Sequence, residues 1–495
     1  MANIVCITGG LTGIFNASLA LIEQLIEAGH QVIYASPAKN FSQTLATQGI
    51  PFVQLDEWVI QSGDPPMSRW QKWRQLRSRQ EKAVTALGTD RFVDTLLALS
   101  PDLVLIDIEM HPHIMAAVKA DLPVALLCPF LSIWKRPGLP PISSQVVPNE
   151  GWRGSPLGLE LSWLRYSLRQ WGSFQRERWR RMGLDRISVL QRYAKQLGYQ
   201  FQENFGFNQW LVPYPHGPLP ILCLNAQALD FPHQPPASMH YVGPMVAQQR
   251  LKEQVSPEVQ GPLNHLFQQH RTNGRSLIYC GCSSFKAGSK QFLQQVITAV
   301  ANRPEWDLIV GLGGRLAPEQ LGPLPNNIYA FSWTPQLQVL AQADCAIINS
   351  GPHSIAECIQ FGVPMLVYSL SHACQNGSAA RVKYHGLGIV GSLQTDQAAD
   401  IRRHIQALLD QPGYRHRVND MRDRCQHYAD QKVAARLIET LLSRRLAPNK
   451  TSDKAPDTKS NKTLAASASA DNTFQPSAQP WLSAQPQPRQ AENKL

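Results

Sequence analysis

The hydrophobic pattern of the chain opens with a strand, a turn, a helix and a second strand. Residues 4–8 are a short apolar run rich in β-branched side chains, and the glycine turn GGLTG follows at 9–13. Apolar side chains at helical spacing then predict a helix over 16–28, and residues 31–35 predict the next strand. This order of elements is the opening unit of a doubly wound parallel sheet.

Further apolar runs continue this sheet and then begin a second one. The runs that continue it are 103–107 and 124–128, with 221–224 and 239–245 as its last strand and the start of a linker. The second series comprises strands at 276–280, 307–311, 328–331, 345–349 and 365–368, a turn at 281–284 and a helix near 290–301. We therefore expect an α/β protein of two doubly wound halves, 1–243 and 244–446, that face a cleft.

An insertion of different character interrupts the first half over residues 134–210. It holds six of the chain's twelve tryptophans and an arginine-rich helical stretch. The apolar stripe of this stretch comprises Leu161, Leu164, Leu168, Trp171 and Phe174, and the arginines around it are Arg165, Arg169, Arg176, Arg178, Arg180 and Arg181. Trp70 and Trp73 lie in a smaller basic group. Two interpretations stay open: peripheral attachment to an anionic membrane, or a helical insertion whose tryptophans pack on the first domain.

Charge and cysteine content narrow the class of protein. The 495 residues carry a formal net charge of +11, which favours contact with a membrane surface, a phosphorylated substrate or nucleic acid, although no nucleic-acid recognition motif occurs. The nine cysteines follow no pairing or metal-ligand pattern, and the first residues do not form a signal peptide. We expect a cytoplasmic protein, soluble or peripherally attached to a membrane. The composition of 447–495 predicts a disordered, non-catalytic tail.

Four short segments of the second half carry candidate chemistry: WTPQ at 333–336, NSGPHSIAE at 349–357, GVP at 362–364 and CQN at 374–376. Trp333 offers a flat face on which a nucleobase can stack. A helix is predicted to open near Ile355 in the second segment, so that backbone N–H groups and the helix dipole suit a diphosphate just before it. The residues placed to hold that diphosphate are Ser350, Gly351, His353 and Ser354. Glu357 can accept hydrogen bonds from a ribose, and Gln375 and Asn376 can hold a sugar.

These segments resemble the donor-binding signature of the UDP-glycosyltransferase superfamily of GT-B fold. Its pattern runs W-x-P-Q, H-x-G-x-x-S-x-x-E, G-V-P and D/E-Q, and the linker YVGP at 241–244 is also similar. The resemblance covers residues 1 to about 444 and implies two Rossmann-like domains with a nucleotide sugar, UDP-linked, as co-substrate and no cofactor. It also implies roles for single residues. Trp333 would stack on the base, Gln336 would contact the nucleoside, Glu357 the ribose and Gln375 the sugar, while Ser284, Gly351 and Ser354 would line the diphosphate.

Three positions depart from that family's pattern. Asn349 stands where the family has a diphosphate-binding histidine, and an amide cannot carry charge. Cys374 replaces the acid ahead of the sugar-holding glutamine, which removes an acceptor for sugar hydroxyls. Ile14 stands where many members have the histidine that deprotonates the acceptor, in a G-H-x-N-P motif for which this chain has GIFNA at 13–17.

A different base is therefore needed to deprotonate the acceptor hydroxyl as it attacks the anomeric carbon. Asp107 ends a predicted strand and His111 follows four residues later, which makes an Asp–His pair the leading candidate. Glu109 and His113 are weaker candidates. The alternative is that these residues cap a helix or line a surface loop.

The glycine turn at 9–13 supports two interpretations. It resembles the first turn of the lipid-linked GlcNAc transferases of cell-wall synthesis, where such a turn meets an acceptor's diphosphate; close packing of the first strand and helix would also select glycines. The turn does not match the dinucleotide pattern G-x-G-x-x-G. The residues of the predicted acceptor loop are Gly10, Thr12, Gly13 and Asn16.

Together these features predict an inverting glycosyltransferase that moves a hexose to a hydroxyl of a hydrophobic or lipid-like acceptor. Most of its rate would come from alignment of the substrates and stabilisation of the leaving diphosphate. No metal is expected, because no acidic D-x-D pair lies near the predicted diphosphate site. The departures at Ile14, Asn349 and Cys374 leave a second hypothesis open: a catalytically silent relative that binds a ligand or acts as an accessory protein.

Overall fold

A computed structural model describes residues 1–57, 67–204, 216–253, 255–281, 289–314, 316–370 and 373–446. Residues Met1–Leu442 form one compact unit, and the unit Ser443–Leu495 contributes only the last residues of the final helix to the described part. The tail predicted over 447–495 lies outside the described residues, as do Ser284 and Trp210. Among the described helices, none combines the length and the apolar character that crossing a bilayer requires.

The first half is built on a sheet of seven parallel strands. In chain order these are β1 (Asn3–Ile7), β2 (Gln31–Ser36), β3 (Phe52–Gln54), β4 (Leu103–Asp107), β5 (Val124–Cys128), β6 (Ile221–Cys223) and β7 (Met239–Tyr241). Their order across the sheet is β3-β2-β1-β4-β5-β6-β7. Residues of β4 and β5 are buried throughout, because both faces of a parallel sheet are covered by helices.

The second half repeats this arrangement with six parallel strands. They are β8 (Ser276–Gly281), β9 (Trp306–Gly311), β10 (Ile328–Phe331), β11 (Cys345–Asn349), β12 (Met365–Tyr368) and β13 (Gly388–Val390), in the order β10-β9-β8-β11-β12-β13. The expected architecture of two doubly wound Rossmann-like halves, the GT-B fold, is confirmed. The strand order reverses at β1/β4 in one sheet and at β8/β11 in the other, and such switch points are where ligands bind in open α/β sheets.

The helices connect and cover these strands. They are α1 (Thr12–Glu27), α2 (Phe41–Thr47), α3 (Arg69–Arg74), α4 (Leu76–Thr85), α5 (Thr89–Leu99), α6 (His111–Lys119), α7 (Pro156–Arg181), α8 (Arg186–Leu197), α9 (Phe201–Asn204), α10 (Pro257–Asn273), α11 (Ser289–Val300), α12 (Gln336–Leu340), α13 (Pro352–Gln360), α14 (Ala373–Tyr384), α15 (Ala398–Asp410), α16 (Pro412–Asp430) and α17 (Val433–Leu446). A 3₁₀ turn, Gln248–Lys252, lies in the segment that links the two sheets.

Several element boundaries differ from the predicted ones. α1 begins at Thr12, four residues before the predicted start, because Leu11 takes the extended N-cap position and the helix already includes Thr12 and Gly13 of the predicted glycine turn. The run 239–245 is a seventh strand of the first sheet, and only its end belongs to the linker. That strand stops at Tyr241, since Gly243 has a φ of +96° and Pro244 follows.

The last helix returns to the first half of the molecule. Ala434 and Ile438 of α17 are buried in the hydrophobic cluster formed by α1 and β1. Lys432, just before α17, lies 3.3 Å from the carboxylate of Glu27 at the end of α1. The sequence did not indicate this crossing, and the domain boundary placed at residue 243 stays a prediction.

The insertion over 134–210 packs only partly on the first sheet. Helix α7 begins where Ser155 caps it, with its hydroxyl accepting from the N–H of Gly158 at 3.1 Å, and ends at Met182 in the left-handed conformation. Trp134 and Trp163 are buried, whereas Trp152, Trp171 and Trp179 are exposed. The interpretation that the tryptophans pack on the first domain therefore holds for two of the five that the structure describes.

Candidate active site

The second switch point places a strand end, a turn and a helix N-terminus side by side. Asn349 ends β11, Gly351 is the N-cap of α13, and Pro352 occupies its first position. The N–H groups of His353 and Ser354 fall in the first helical turn, where helix geometry leaves them without an intrahelical acceptor. This is the anion-binding geometry that the sequence predicted.

Not every residue of this turn faces the cleft. Ser350 is fully buried, and its hydroxyl donates to the carbonyl oxygen of Tyr368 on the neighbouring strand at 3.3 Å. The N–H of Gly351 donates to the carbonyl oxygen of Asn349 at 2.8 Å and so closes the turn. The side chain of Ser350 therefore stabilises the turn from inside the sheet.

His353 is the unusual side chain of the site. Both of its ring nitrogens are buried, and neither has a hydrogen-bond partner among the described residues; the same is true of Oδ1 of Asn349. Burial lowers the pKa of His353 to about 4, and the charge of Arg250 acts in the same direction. Buried polar atoms of this kind normally find a partner, which makes these two side chains candidates for contact with a ligand.

The first half meets this site at its glycine turn. A Cβ added at Gly13 would lie 3.4 Å from Cδ2 of His353, so the start of α1 and the start of α13 face each other directly. Thr12 and Gly13 are exposed, Asn16 is half-buried, and Ile14 is buried against the first sheet. Gly10 has a φ of +89° and lies against Ala38. Its backbone conformation and packing therefore favour a glycine at this position whether or not the turn binds an acceptor.

Glu357, the predicted ribose acceptor, is held on both carboxylate oxygens. Arg250 donates to Oε1 and Gln336 donates to Oε2. Oε1 of Gln336 in turn accepts from the hydroxyl of Tyr279 at 3.1 Å. Arg250 comes from the 3₁₀ turn of the linking segment and was not predicted, because no local pattern relates it to a residue 107 positions later.

Trp333 presents about half of its surface to solvent, at 48% exposure. Its indole N–H donates to Oε1 of Glu253 at 3.0 Å, and the carbonyl oxygen of Glu253 accepts from Gln338 at 2.9 Å. The linking segment therefore braces both the tryptophan and Glu357. This positioning role was missed, and nothing in the motif spacing signals it.

The start of α14 carries the predicted sugar-holding residues. Oε1 of Gln375 accepts from the N–H of Leu370 at 2.7 Å. Nδ2 of Asn376 donates to the carbonyl oxygen of Ser143 at 2.9 Å, and its Oδ1 accepts from Ser369 at 2.7 Å. Asn376 thus links α14 to the first half.

A buried ion pair joins the same helix to the first half. The Arg381 guanidinium of α14 lies 2.5 Å from Oδ1 of Asp230, and both side chains are almost completely buried. Oδ2 of Asp230 accepts from the hydroxyl of Tyr241 at 2.7 Å and from the N–H of Ser132 at 2.8 Å. Burial alone would raise the pKa of Asp230, but Arg381 and the hydrogen bonds lower it below its ordinary value.

The close approach of the two halves also requires a glycine. A Cβ at Gly377 would lie 2.5 Å from the carbonyl oxygen of Ile142 in the first half. Any larger residue would therefore push α14 away from the first half. Together with Arg381 and Asn376, this contact fixes the helix that carries Gln375 relative to both sheets.

Asp107 lies at the first switch point, directly under the glycine turn. Its Oδ1 accepts from the N–H of Glu109 at 3.0 Å and its Oδ2 from the N–H of Gly9 at 3.3 Å. Burial raises the pKa of Asp107 to about 7; the charge of Glu109 adds to this rise, and the two backbone hydrogen bonds oppose it. A carboxyl with such a pKa is poised to exchange a proton near neutral pH.

His111 does not form the expected pair with Asp107. The ring is completely buried, and its Nδ1 lies 3.3 Å from Nε2 of His216, whose Nδ1 lies 2.9 Å from the hydroxyl of Tyr199. Burial holds the pKa of His111 well below its ordinary value, and the charges of His216 and Arg186 act in the same direction. Asp107 and His111 point to different neighbours because one side chain ends a strand and the other starts a helix.

The two weaker candidates also differ in position. His113 is buried edge-to-face on Phe92, 4.6 Å between ring centroids, and burial lowers its pKa to about 3. Glu109 is half-buried, and after burial its charge is the next cause that raises the pKa of Cys374, to about 11. Glu109 therefore lies near the position where the second half has lost its acid. Within the described part of the chain, no group of three or more His, Cys, Asp or Glu side chains could hold a metal ion.

Comparison with known proteins relates both halves to one kind of enzyme. Residues 296–440 match the family model described as the erythromycin biosynthesis protein CIII-like C-terminal domain. The chain is 26% identical over 441 residues to the oleandomycin glycosyltransferase of Streptomyces antibioticus, covering 88% of this chain and 89% of that protein. It is 24% identical to the zeaxanthin glucosyltransferase of Pantoea ananas over 46% of this chain and 50% of the relative.

Solved structures agree on the fold. The crystal structure of the calicheamicin glycosyltransferase CalG4 superimposes with a TM-score of 0.61 at 19% identity, covering 90% of this chain and all of that one. At this identity the likeness concerns the arrangement of the two sheets and their helices.

Proposed function

Because the chain belongs to the glycosyltransferases of the UDP-glycosyltransferase-type GT-B superfamily, we propose that it transfers a hexose from a nucleotide sugar to an acceptor hydroxyl with inversion. The donor of the proposal is UDP-linked and the acceptor is hydrophobic or lipid-like. The single observation that carries the proposal is the start of α13, where unpartnered buried atoms of Asn349 and His353 lie beside the braced Glu357.

In the proposed donor complex, the nucleobase stacks on the exposed face of Trp333 and Gln336 contacts the nucleoside. The ribose hydroxyls donate to Glu357, whose carboxylate is oriented by Arg250. The diphosphate accepts from the N–H groups of His353 and Ser354 at the positive end of α13, with Gly351 allowing close approach. Gln375 and Asn376 hold the sugar. Ser284, proposed to complete the diphosphate site, lies outside the described residues.

His353 supplies what Asn349 lacks in this arrangement. Its pKa of about 4 keeps the ring neutral at pH 7. A bound diphosphate adds negative charge beside the ring, which favours the protonated form and raises this pKa. His353 would then donate a charge-assisted hydrogen bond to the leaving group, from a position four residues after the one where the family has its histidine.

We propose Asp107 as the base. The acceptor oxygen attacks the anomeric carbon, the bond from that carbon to the diphosphate oxygen breaks, and the hydroxyl proton passes to the Asp107 carboxylate. Gly9, whose N–H donates to this carboxylate, has no side chain, and a Cβ at this position would lie 3.5 Å from Oδ2. The role first assigned to His111 passes to Asp107 because the His111 ring is enclosed with His216.

The chemistry of the acceptor follows from two facts. A relative over about half its length is named for zeaxanthin, an apolar alcohol. The insertion of the first half exposes leucine and tryptophan side chains next to arginines. We therefore propose an apolar acceptor, reached from the cytoplasm with the protein peripherally attached to a membrane. A catalytically silent relative is not favoured, since the named relatives are themselves glycosyltransferases.

A thermal-shift panel tests the donor proposal. The full chain is melted with UDP, GDP, dTDP and their common sugar conjugates, and a nucleotide at about 100 times its Kd should stabilise it by roughly 2.7 kcal/mol. Trp333→Ala and Glu357→Ala should abolish the shift, whereas Trp152→Ala, which removes another exposed tryptophan far from α13 in sequence, should keep it. Absence of any shift in the native chain would refute the proposed donor site.

A further inference from the structure

The exposed apolar side chains of the molecule are concentrated in one region. Of the fifteen large apolar side chains exposed in the described part of the chain, nine lie on α3, on α7 and on the short turn Trp152–Gly154 between them in sequence. Single exposed apolar residues are normal on a soluble protein, but a contiguous group marks an interaction site.

Helix α7 has two apolar faces on opposite sides. Leu159, Trp163 and Tyr166 are buried against the first half and anchor the helix. Five further apolar residues of the helix follow at spacings of four, three, four and three and so form one stripe along it: Leu157, Leu161, Leu164, Leu168 and Trp171. Each of these five is between 47% and 70% exposed. The packing of α7 therefore needs only one of its two apolar faces.

One flank of this stripe is basic. Arg165, Arg169, Arg176 and Arg180 recur at spacings of four, seven and four, and all four are exposed. The two acidic residues of α7 are already engaged: Glu160 pairs with Lys135, and Glu177 lies 3.2 Å from Arg181. The positive charge of the flank is therefore not neutralised by the acidic residues of its own helix.

Helix α3 extends the same surface. The guanidinium of Arg69 lies 3.9 Å from the ring centroid of Trp179, near the end of α7. Trp70 and Trp73 beside it are 64% and 67% exposed. Arg79 of α4, which follows α3 directly, donates to the carbonyl oxygen of Met182 at 3.1 Å and fixes the two helices together. We call the α7 stripe with Trp70, Trp73 and Trp179 the exposed apolar face.

We propose that the exposed apolar face docks the protein on an anionic lipid bilayer. Leucines of the stripe enter the boundary between headgroups and acyl chains, tryptophans lie at the headgroup level, and the arginine flank pairs with lipid phosphates. Helix α7, about 39 Å long, lies parallel to the surface. The inference extends the proposed function, because a bilayer is where an apolar acceptor would be taken up.

Co-sedimentation of the full chain with vesicles tests this surface. The native chain should bind phosphatidylcholine vesicles that contain phosphatidylglycerol, bind much less without the anionic lipid, and be released by salt. Leu164→Glu/Leu168→Glu should abolish binding. Arg165→Gln/Arg169→Gln should weaken partitioning roughly 25-fold, at about fivefold per charge. Leu97→Glu, an exposed leucine of α5 outside the face, is the matched control and should bind like the native chain.

Two further measurements distinguish a failure of the docking surface from a failure of the proposed function. Light scattering should show that the native chain without lipid is a monomer; a dimer that Leu164→Glu/Leu168→Glu dissolves would assign the face to a second copy and overturn the inference. The inference is also overturned if the native chain binds anionic and neutral vesicles equally, or binds neither. The nucleotide thermal shift should be unchanged in every face variant. If lipid binding occurs and no nucleotide shifts the native chain, the docking surface stands and the proposed function fails.

Discussion

The two switch points share a backbone arrangement and differ in chemistry. At the first, the helix after the glycine turn begins with Thr12, Gly13 and Ile14, none of which titrates near neutral pH, and the acid comes from the neighbouring strand as Asp107. At the second, the helix itself carries His353 and Glu357, and the linking segment adds a cation. In the proposed mechanism the first half therefore supplies the proton acceptor, and the second half supplies hydrogen-bond donors for the diphosphate.

The difference between the two switch points shows how a site can retain a proton acceptor and an anion-binding group when the residues typical of the family are replaced. In the proposed site, His353, four residues further along the chain, takes the place of the histidine missing at position 349. The histidine missing at position 14 has no counterpart in the first turn of α1, but Asp107 under the same glycine turn has a pKa near 7. In the proposed site both replacements lie at a switch point, where the geometry brings several strand ends to one place.

The largest expected effect is on catalysis at the first switch point. Asp107→Asn should lower kcat by about 10²–10⁴, since a positioned base contributes that much, and should leave UDP binding intact. In the native enzyme the rate should rise as the pH passes through about 7, where the carboxylate forms. Release of UDP from the donor, measured with a panel of apolar alcohols, gives this profile. Asp121→Asn, an exposed carboxyl of the same half, is the control and should change neither quantity.

The same variant separates catalysis from stability. The pKa of Asp107 is raised in the folded protein, so its contribution to stability is complete below about pH 4 and is lost as the pH rises through about 7. Asn at position 107 does not ionise, so the variant does not lose this stability at high pH. At pH 8 it should melt at or above the melting temperature of the native chain. A variant that is inactive and also less stable at pH 8 would indicate a structural role for Asp107 instead.

The next largest effect concerns the contact between the halves. Arg381→Met leaves the Asp230 carboxylate buried without its cation and should lower the free energy of unfolding by about 3–5 kcal/mol, as followed by urea denaturation. Arg415→Met, which removes an exposed pair with Asp344, should cost less than about 1 kcal/mol. Equal effects of the two variants would show that the buried pair does not hold the halves together.

A smaller effect is expected at the second switch point. His353→Asn should weaken UDP binding by about tenfold or more, because it removes one hydrogen bond to a charged group. Calorimetry in two buffers of different ionisation enthalpy should show that the native chain takes up protons when UDP binds at pH 6, and that the variant takes up fewer. Uptake that is the same in both proteins would assign the proton to another group.

The smallest effect should come from the brace on Trp333. Glu253→Ala removes one half-exposed hydrogen bond to the indole and should weaken donor binding by about two- to fivefold. Glu258→Ala, an exposed acid at the start of α10, should leave the affinity unchanged. A loss as large as that of Trp333→Ala would mean that Glu253 itself contacts the donor.

The sequence predicted the sheets better than the contacts between them. Strands such as 103–107 and 345–349 were located to the residue, because buried parallel strands are continuous apolar runs between turns. Motif spacing predicted the helix α13 but placed its start near Ile355, three residues after the observed start at Pro352. Arg250 and the pair Asp230–Arg381 were not found, because their partners lie 107 and 151 positions away and no local pattern encodes such pairs.

The error about His111 has the same origin. Spacing placed Asp107 and His111 near each other in the chain, but the helix that starts at His111 turns its ring towards His216, 105 residues further on. The return of α17 to the first half and the exposure of the α7 stripe likewise depend on packing between distant elements. The hydrophobic periodicity of a sequence indicates that a helix has an apolar face, but it does not indicate which part of the molecule packs against that face.

Titration calorimetry of UDP against three proteins tests the central claim most directly. The native chain should bind UDP at one site, Glu357→Ala should lose binding, and Asp107→Asn should bind like the native chain, because the donor site and the base lie at different switch points. Binding that survives in Glu357→Ala, or that is lost in Asp107→Asn, would contradict this division of roles between the two halves.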